Sequence, residues 1–282
     1  MLPLIKWAGG KRKFVSQISD LLGDIQGTYF EPFLGGAALL LHLQPAHAYC
    51  SDINPELINF YNTVKYNVDE LIASLEHDFI SHHSKEFYYS VRDWERDEEL
   101  YSSLSSVKRA ARFIYLNKTC YNGVWRVNGN GFFNVPFGRY KTPTFPLPGE
   151  LREASAYFNE SVIEFRQCGY QELAAMAHAG DVVYFDPPYD VEVGQSEFVK
   201  YTSLGFDKDD QIALKHFCDN LIDRGVKVGI SNSNTDFIRS LYVSDRDRKY
   251  VLNSIKPFSR TIGRTVESRR LTTELFILGT RQ

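Results

Sequence analysis

Six short, continuous apolar runs rich in β-branched and aromatic residues constrain this chain most: 28–33, 48–52, 162–166, 182–186, 226–231 and 273–279. A run without alternation is the pattern of a strand buried on both faces. Helical patterns lie between several of them. Residues 37–43 follow the first run. Residues 55–67 follow the second, with Asn54 as N-cap and Pro55 at the first helical position. Residues 207–224 precede the run at 226, and Gly225 stands where a C-capping glycine is needed. Alternation of this kind predicts an α/β fold, a sheet with helices on both faces.

The alternation breaks between residues 68 and 149. Helical patterns occupy 68–79, 84–96 and 103–116. A Gly- and Asn-rich stretch with alternating apolar residues follows at 121–140, and Asn128-Gly129-Asn130-Gly131 in its middle is a hairpin turn signal. Pro143, Pro146 and Pro148 mark a boundary. The expectation is an α/β domain made of 1–67 and 150–282, interrupted by an inserted domain of helices plus a hairpin at 68–149.

The net charge is −3, which argues mildly against a nucleic-acid binder. The distribution argues the other way. Residues 100–149 contain no Asp or Glu but carry Lys108, Arg109, Arg112, Lys118, Arg126, Arg139 and Lys141. Lys256, Arg260, Arg264, Arg269 and Arg270 form a second cluster, opposed by Glu267. Such stretches offer a track for a phosphate backbone. There is no 18-residue apolar run and no signal-peptide pattern, so no membrane partner is expected and the expected compartment is the cytoplasm. Cys50, Cys120, Cys168 and Cys218 are far apart and lack zinc spacing, so no metal site is expected and the thiols read as reduced and partly buried. His82 and His83 read as surface residues.

Asp186-Pro187-Pro188-Tyr189 follows the apolar strand 182–185. Two consecutive prolines fix two φ angles and remove two N–H donors, leaving a stiff corner whose carbonyls can accept. A strand ending in Asp places a carboxylate at the carboxyl edge of the sheet, where α/β proteins bind ligands. The Asp186 carboxylate, the Pro187 carbonyl and the Tyr189 ring then suit an exocyclic amino group on a flat heterocycle. Glu31-Pro32-Phe33-Leu34-Gly35-Gly36 follows the first strand and lets a ligand approach the backbone. Asp52 closes the second strand, placed to accept from two ribose hydroxyls. Turn and acid together point to an adenosine-type cofactor, and the lack of a pyrophosphate cradle favours S-adenosyl-L-methionine (AdoMet) over a dinucleotide. In Lys6-Trp7-Ala8-Gly9-Gly10-Lys11, Trp7 offers a face to a sulfonium and Lys11 a partner to a carboxylate.

With these pieces in place the chain resembles the Dam-type DNA adenine-N6 methyltransferases, the D12 class. The matching blocks are 6–11, 31–36, 51–54, Tyr121-Asn122-Gly123, Phe133-Asn134-Val135-Pro136-Phe137-Gly138-Arg139-Tyr140, 186–189 and Ile230-Ser231-Asn232. The resemblance implies an AdoMet-dependent, Rossmann-like methyltransferase sheet with an inserted target-recognition domain. It implies cofactor contacts from Trp7, Ala8, Lys11, Phe33, Gly35, Asp52 and Asp186, and catalytic roles for Asp186, Pro187 and Tyr189. It implies DNA contacts from Tyr121, Asn122, Val124, Arg126, Pro136, Arg139 and Tyr140. Val124, Arg126 and Pro136 would read bases, Arg139 would grip phosphate, and Tyr121 would stack in the duplex. The implied target is a flipped adenine in double-stranded DNA, within GATC. Trp125 and the turn at 128–131 depart from the family pattern beside the base-reading arginine. Arg264, Thr265 and Arg269 fall where relatives often carry a DNA-contacting loop. The expected partners are duplex DNA and, in a restriction–modification setting, a paired restriction endonuclease; the expected state is a monomer or weak dimer. Two other classes stay open on the residues alone: methylation of cytosine N4, RNA or a protein amide, and a DNA-binding module without catalysis.

Overall fold

The computed structural model describes residues 1–190, 205–243, 249–256 and 274–281. In chain order its elements begin with α1 (Val15–Leu22), β1 (Tyr29–Glu31), α2 (Ala38–Leu43), β2 (His47–Asp52), α3 (Pro55–Tyr66) and α4 (Val68–Ser74). Then come α5 (Lys85–Asp93), α6 (Glu98–Ser103), α7 (Ser106–Thr119), α8 (Pro148–Glu160), β3 (Val162–Gln167) and α9 (Tyr170–Ala174). The chain ends with β4 (Val182–Phe185), α10 (Lys208–Asp223), β5 (Lys227–Ser233), α11 (Asp236–Tyr242), β6 (Tyr250–Ile255) and β7 (Glu274–Gly279). The fold is mixed α/β, and it divides into two compact units. The first contains Met1–Arg12, Gly35–Gln44 and Asp52–Gln167; the second contains Lys13–Leu34, Pro45–Ser51 and Cys168–Gln282.

In the second unit the strands run in the order β2-β1-β4-β5-β7-β6. β1 pairs in parallel with both β2 and β4, and β4 with β5. β7 enters antiparallel between β5 and β6. All four residues of β4 are buried, as a parallel strand covered on both faces requires. Parallel pairing brings the carboxyl ends of β1, β4 and β5 to one edge, so Phe33, Asp186 and Asn232 follow or end neighbouring strands. The core gathers Phe30, Val183, Phe185, Val228, Ile230 and Ile277 with the apolar stripe Leu214, Cys218, Leu221 and Ile222 of α10. α10 is closed at both ends. The Asp207 side chain accepts from the Asp209 and Asp210 N–H groups, and Asp210 accepts back from the Asp207 N–H at 2.9 Å. At the other end Gly225 adopts φ +86°, while Val226 N–H reaches the Leu221 carbonyl at 3.0 Å and Gly225 N–H the Ile222 carbonyl at 2.9 Å, a Schellman closure.

The first unit is built around α3 and α7. Asn54 caps α3 by accepting from the Glu56 and Leu57 N–H groups, with Pro55 at the first position, as the sequence indicates. Phe60 of α3 stacks on Phe113 of α7 with centroids 5.6 Å apart, and Tyr61 stacks on Phe165 of β3 at 5.1 Å. The Arg112 side chain of α7 is fully buried; its Nε donates to the Val91 carbonyl at 2.9 Å, and one Nη to the Arg92 carbonyl at 2.9 Å and to Glu95 at 3.1 Å.

Several elements differ from expectation. The pattern at 68–79 resolves into α4 and a π-turn over Leu75–Phe79, and 84–96 into α5 and a 3-10 turn over Trp94–Arg96. The helix expected at 103–116 runs instead over Ser106–Thr119 behind an N-capping Ser105. Pro148, read as part of a boundary, is the first residue of α8, where its missing N–H costs nothing. β6 is a seventh strand that the apolar runs did not announce, because half-exposed residues dominate this edge strand. The stretch 121–140 is an irregular hairpin with isolated bridges, Cys120 to Phe137 and Val127 to Phe133, rather than a continuous ladder.

Candidate active site

In the second unit, β4 delivers the chain into Asp186-Pro187-Pro188-Tyr189. Neither proline can donate, so side chains from elsewhere hold this corner. Gln211, in the first turn of α10, donates from Nε2 to the Pro188 carbonyl at 2.8 Å. Its Oε1 accepts from Asn232 Nδ2 at 2.9 Å. Asn232 Oδ1 accepts from the Asp190 N–H at 3.3 Å and the Ser233 N–H at 2.8 Å. Thr235 at the N-terminus of α11 donates to the Asp190 carboxylate at 2.7 Å. The Pro188 carbonyl thus accepts from Gln211, in keeping with a corner whose carbonyls are its hydrogen-bonding groups. The Tyr189 hydroxyl donates to Glu274 of β7 at 2.8 Å. Burial, then the nearby Asp186 and Glu274 carboxylates, push that hydroxyl well above the ordinary tyrosine range, so it stays neutral. Behind the corner the Tyr184 and Ser231 hydroxyls share a hydrogen bond at 2.8 Å. Phe33 belongs to an aromatic cluster: it stacks on Tyr170 at 5.4 Å and meets Phe185 and Phe206 edge-on.

The first unit gathers Trp7, Ala8, Lys11, Gly35 and Asp52. Trp7 opens a turn closed by the Gly10 N–H on its carbonyl at 3.1 Å; Ala8 is exposed and Lys11 is buried. Lys11 Nζ donates to the Gly9 carbonyl. Gly35 sits at φ +47°, and a Cβ there would lie 2.6 Å from Trp7 Cδ1, so only glycine lets the indole pack on this turn. Asp52 accepts from the Gly35 N–H at 3.1 Å with one oxygen and from the Asn54 N–H at 3.0 Å with the other. Burial raises the Asp52 carboxyl above its usual range, with these backbone donors pulling the other way. Ile53, next in the chain, is 74% exposed. Its apolar side chain thus stands in the open beside a carboxylate, which its residue type alone does not announce.

The hairpin residues also lie in the first unit. Tyr121 is exposed, and its N–H donates to the Pro136 carbonyl at 2.8 Å. Asn122 adopts φ +57° and Gly123 φ +65°, turning the chain sharply. The buried Asn117 side chain bridges this turn to the N-terminal segment: it accepts from the Lys6 N–H at 2.9 Å and donates to the Lys6 carbonyl at 2.7 Å and the Gly123 carbonyl at 3.4 Å. Arg126 Nε donates to Asn134 Oδ1 at 2.8 Å. Val124 is half-buried, while Pro136 and Arg139 are exposed. Arg139 holds φ +55°, a conformation unusual for a side-chain-bearing residue. Lys6 Nζ lies 4.8 Å over the Tyr140 ring. Trp125 packs between Phe113 at 4.3 Å and Phe133 at 4.6 Å. The departure from the family pattern at this position is thus an anchor for the hairpin on α7.

The sequence matches the D12 class N6 adenine-specific DNA methyltransferases over residues 7–256. The chain belongs to this class. Similar proteins include a Type II methyltransferase, M1.LlaDCHI, of Lactococcus lactis subsp. cremoris, 36% identical over 275 residues covering 98% of this chain and 94% of the relative. Another, M.MjaIII of Methanocaldococcus jannaschii, is 42% identical over 267 residues, covering 88% and 90%. A DNA adenine methylase of Vibrio cholerae is 35% identical over 280 residues, covering 98% and 95%.

In this D12 methyltransferase the acid-free stretch is less basic than its sequence suggests. Lys108 pairs with Asp78 at 2.7 Å, Arg109 with Glu56, and buried Arg112 with Glu95 at 3.1 Å. Acids outside 100–149 thus engage the basic residues of the first half of α7. Lys118 is largely desolvated, which, together with the nearby Lys6, lowers its ammonium to about 8. Arg260, Arg264, Thr265, Arg269 and Arg270 lie outside the described residues. His83, expected at the surface, is half-buried: its Nδ1 meets the Tyr115 hydroxyl at 3.0 Å, and burial lowers its pKa. Of the cysteines, Cys50, Cys120 and Cys218 are buried. No helix among the described residues is long and apolar enough to cross a membrane. Sequence reasoning missed Gln211, Glu274, Asn117 and Glu95. Gln211 alone left a trace, as a polar residue in register with the apolar stripe Leu214, Cys218 and Leu221 of α10.

Proposed function

We propose that this methyltransferase uses AdoMet to methylate N6 of an adenine swung out of duplex DNA, within GATC. The observation that carries the reading is the Asp186-Pro187-Pro188-Tyr189 corner at the carboxyl end of β4, with its far side pinned by Gln211. Asp186 and the Pro187 carbonyl accept the two N–H bonds of the target amine. That arrangement turns the nitrogen lone pair out of conjugation and aims it. Tyr189 stacks on the extruded ring, contributing roughly 1–3 kcal/mol against a flipping cost of a few kcal/mol. Alignment of the two reactants supplies roughly 7–11 kcal/mol of the barrier.

The first unit supplies residues that fit AdoMet. The Gly35 turn beneath Trp7 has no room for a Cβ, and Asp52 is a desolvated carboxylate held by backbone donors. Asp52 takes the ribose hydroxyls, Ile53 covers the base, Trp7 and Ala8 border the sulfonium, and Lys11 reaches the carboxylate. Gly35 lines the same ligand, and the family resemblance adds Phe33 and Asp186 as proposed cofactor contacts. When bound, AdoMet supplies an electrophilic sulfonium methyl.

Residues 68–149 act as the target-recognition domain inserted into a catalytic domain of 1–67 and 150–282. Arg126, held by Asn134, reads guanine at roughly 1–3 kcal/mol of discrimination. Val124 and Pro136 contact bases, Arg139 takes a phosphate, Tyr121 stacks in the duplex, and Asn122 and Tyr140 shape the loop around it. A restriction endonuclease sharing the site is the proposed functional partner. The test is to treat plasmid DNA with the protein and AdoMet and to map N6-methyladenine at base resolution. Methylation confined to GATC is expected. Methylation at another adenine site overturns the proposed sequence, and modification of cytosine alone overturns the corner's role.

A further inference from the structure

The Pro-Pro corner poses a physical problem. A peptide segment is ordinarily pinned through its N–H groups, and both residues at the centre of this corner lack one. Only carbonyls remain as handles there. One handle is taken by Gln211, which is 1% exposed and reaches the Pro188 carbonyl at 2.8 Å. Its orientation is forced. Pro188 offers only an acceptor, so the Gln211 NH2 must face it and its oxygen must face Asn232 Nδ2, 2.9 Å away. Asn232 is fully buried, and its oxygen faces the N–H groups of Asp190 and Ser233, which can only donate. Two buried amides thus form a one-way chain from the Pro188 carbonyl to the Asp190 N–H, clamping the corner on both sides of Tyr189. Neither amide touches the target amine in the mechanism above.

We propose that Gln211 is a positioning residue for methyl transfer: by fixing the Pro188 peptide it sets the direction of the Pro187 carbonyl and the plane of Tyr189. The inference rests on the reading of Asp186-Pro187-Pro188-Tyr189 as the target-amine site. A clamp of this kind matters because small displacements of an acceptor erode in-line transfer much more than they erode binding.

Two substitutions separate positioning from bulk stability. Gln211→Met keeps volume but offers the carbonyl no donor. Gln211→Glu depends on pH. When protonated, its carboxyl has one O–H and one carbonyl, the same donor and acceptor pair as the native amide. When ionised, it presents two acceptors to an acceptor. Single-turnover methylation of a duplex carrying the mapped site is measured from pH 5.5 to 9, each rate divided by that of the unsubstituted enzyme. AdoMet and DNA affinities are measured on the same samples, with thermal unfolding as a folding control. The expected result for Gln211→Met is a rate loss of about 10- to 100-fold at all pH values, with both affinities nearly unchanged. For Gln211→Glu the relative rate should match the methionine variant at high pH and recover as pH falls. A folded Gln211→Met enzyme within twofold of the native rate, or a Gln211→Glu enzyme whose relative rate falls as pH falls, overturns the proposal. Asp186→Ala run alongside distinguishes the two levels. If it turns over, the reading of the corner itself fails; if it is inactive while Gln211→Met is fully active, only the role of Gln211 fails.

Discussion

Replacing Glu95 with alanine tests what anchors the hairpin at 121–140. One Glu95 oxygen accepts from the Phe133 N–H, and the other pairs with Arg112 at 3.1 Å. The Glu95 side chain is 10% exposed and that of Arg112 0%. Removing one member of a buried ion pair costs about 3–5 kcal/mol, because the remaining charge loses its counter-ion. Arg112 keeps the Val91 and Arg92 carbonyls and the Tyr101 ring at 5.3 Å, which places the cost at the lower end of that range. The stranded Phe133 N–H adds about 1–3 kcal/mol where water does not reach it. The expected total is about 4 kcal/mol for Glu95→Ala and less for Glu95→Gln, which retains an acceptor toward Phe133. Equilibrium denaturant unfolding gives the total. Amide exchange at Phe133 reports the hairpin locally. The double variant Glu95→Ala with Arg112→Met should be more stable than Glu95→Ala alone, since no buried charge is left behind. A loss below about 1 kcal/mol for Glu95→Ala, or a double variant as unstable as the two singles added together, refutes the reasoning.

Gly35→Ala forces a Cβ to 2.6 Å from Trp7 at φ +47°, so calorimetry should show AdoMet affinity falling at least about tenfold while DNA binding persists; unchanged affinity contradicts the packing. Burial raises Asp52, so its ionised form is the one the fold penalises: its contribution to stability is greatest below the ordinary carboxylate pKa and is lost as pH rises through the raised value. Ribose hydroxyls favour the ionised form, so AdoMet affinity should climb with pH through that same window, and Asp52→Asn should flatten the climb. Arg139→Ala should weaken DNA binding evenly across sequences and lower the salt slope by about one, whereas Arg126→Ala should relax sequence preference. The reverse pattern in a competition assay exchanges their roles.

Local rules were the legible part of this chain. Asn54 with Pro55, Gly225 after α10 and the apolar run ahead of Asp186 each act within a few residues, so the sequence states them directly. Gly35 was legible as a turn glycine, but its reason, the Trp7 indole against it, joins residues 28 positions apart in the chain. Contacts of that range left no periodic trace. The Phe133 N–H is backbone, so nothing in its residue type announces that Glu95 will hold it. The pairing of the acid-free stretch was hidden for the same reason: Glu56, Asp78 and Glu95 meet α7 through space. β6 was missed because an edge strand with one wet face lacks the continuous apolar run that marks β4 and β5. Gln211 was readable in principle, as an amide in register with an apolar stripe, but its partner Pro188 followed only once the fold brought the first turn of α10 to the corner after β4.

Single-turnover methyl transfer by Asp186→Ala, measured on a duplex carrying the mapped site with DNA binding followed on the same sample, tests the central assignment most directly. The account predicts retained DNA binding with transfer reduced to background. Appreciable methylation by that variant would contradict it.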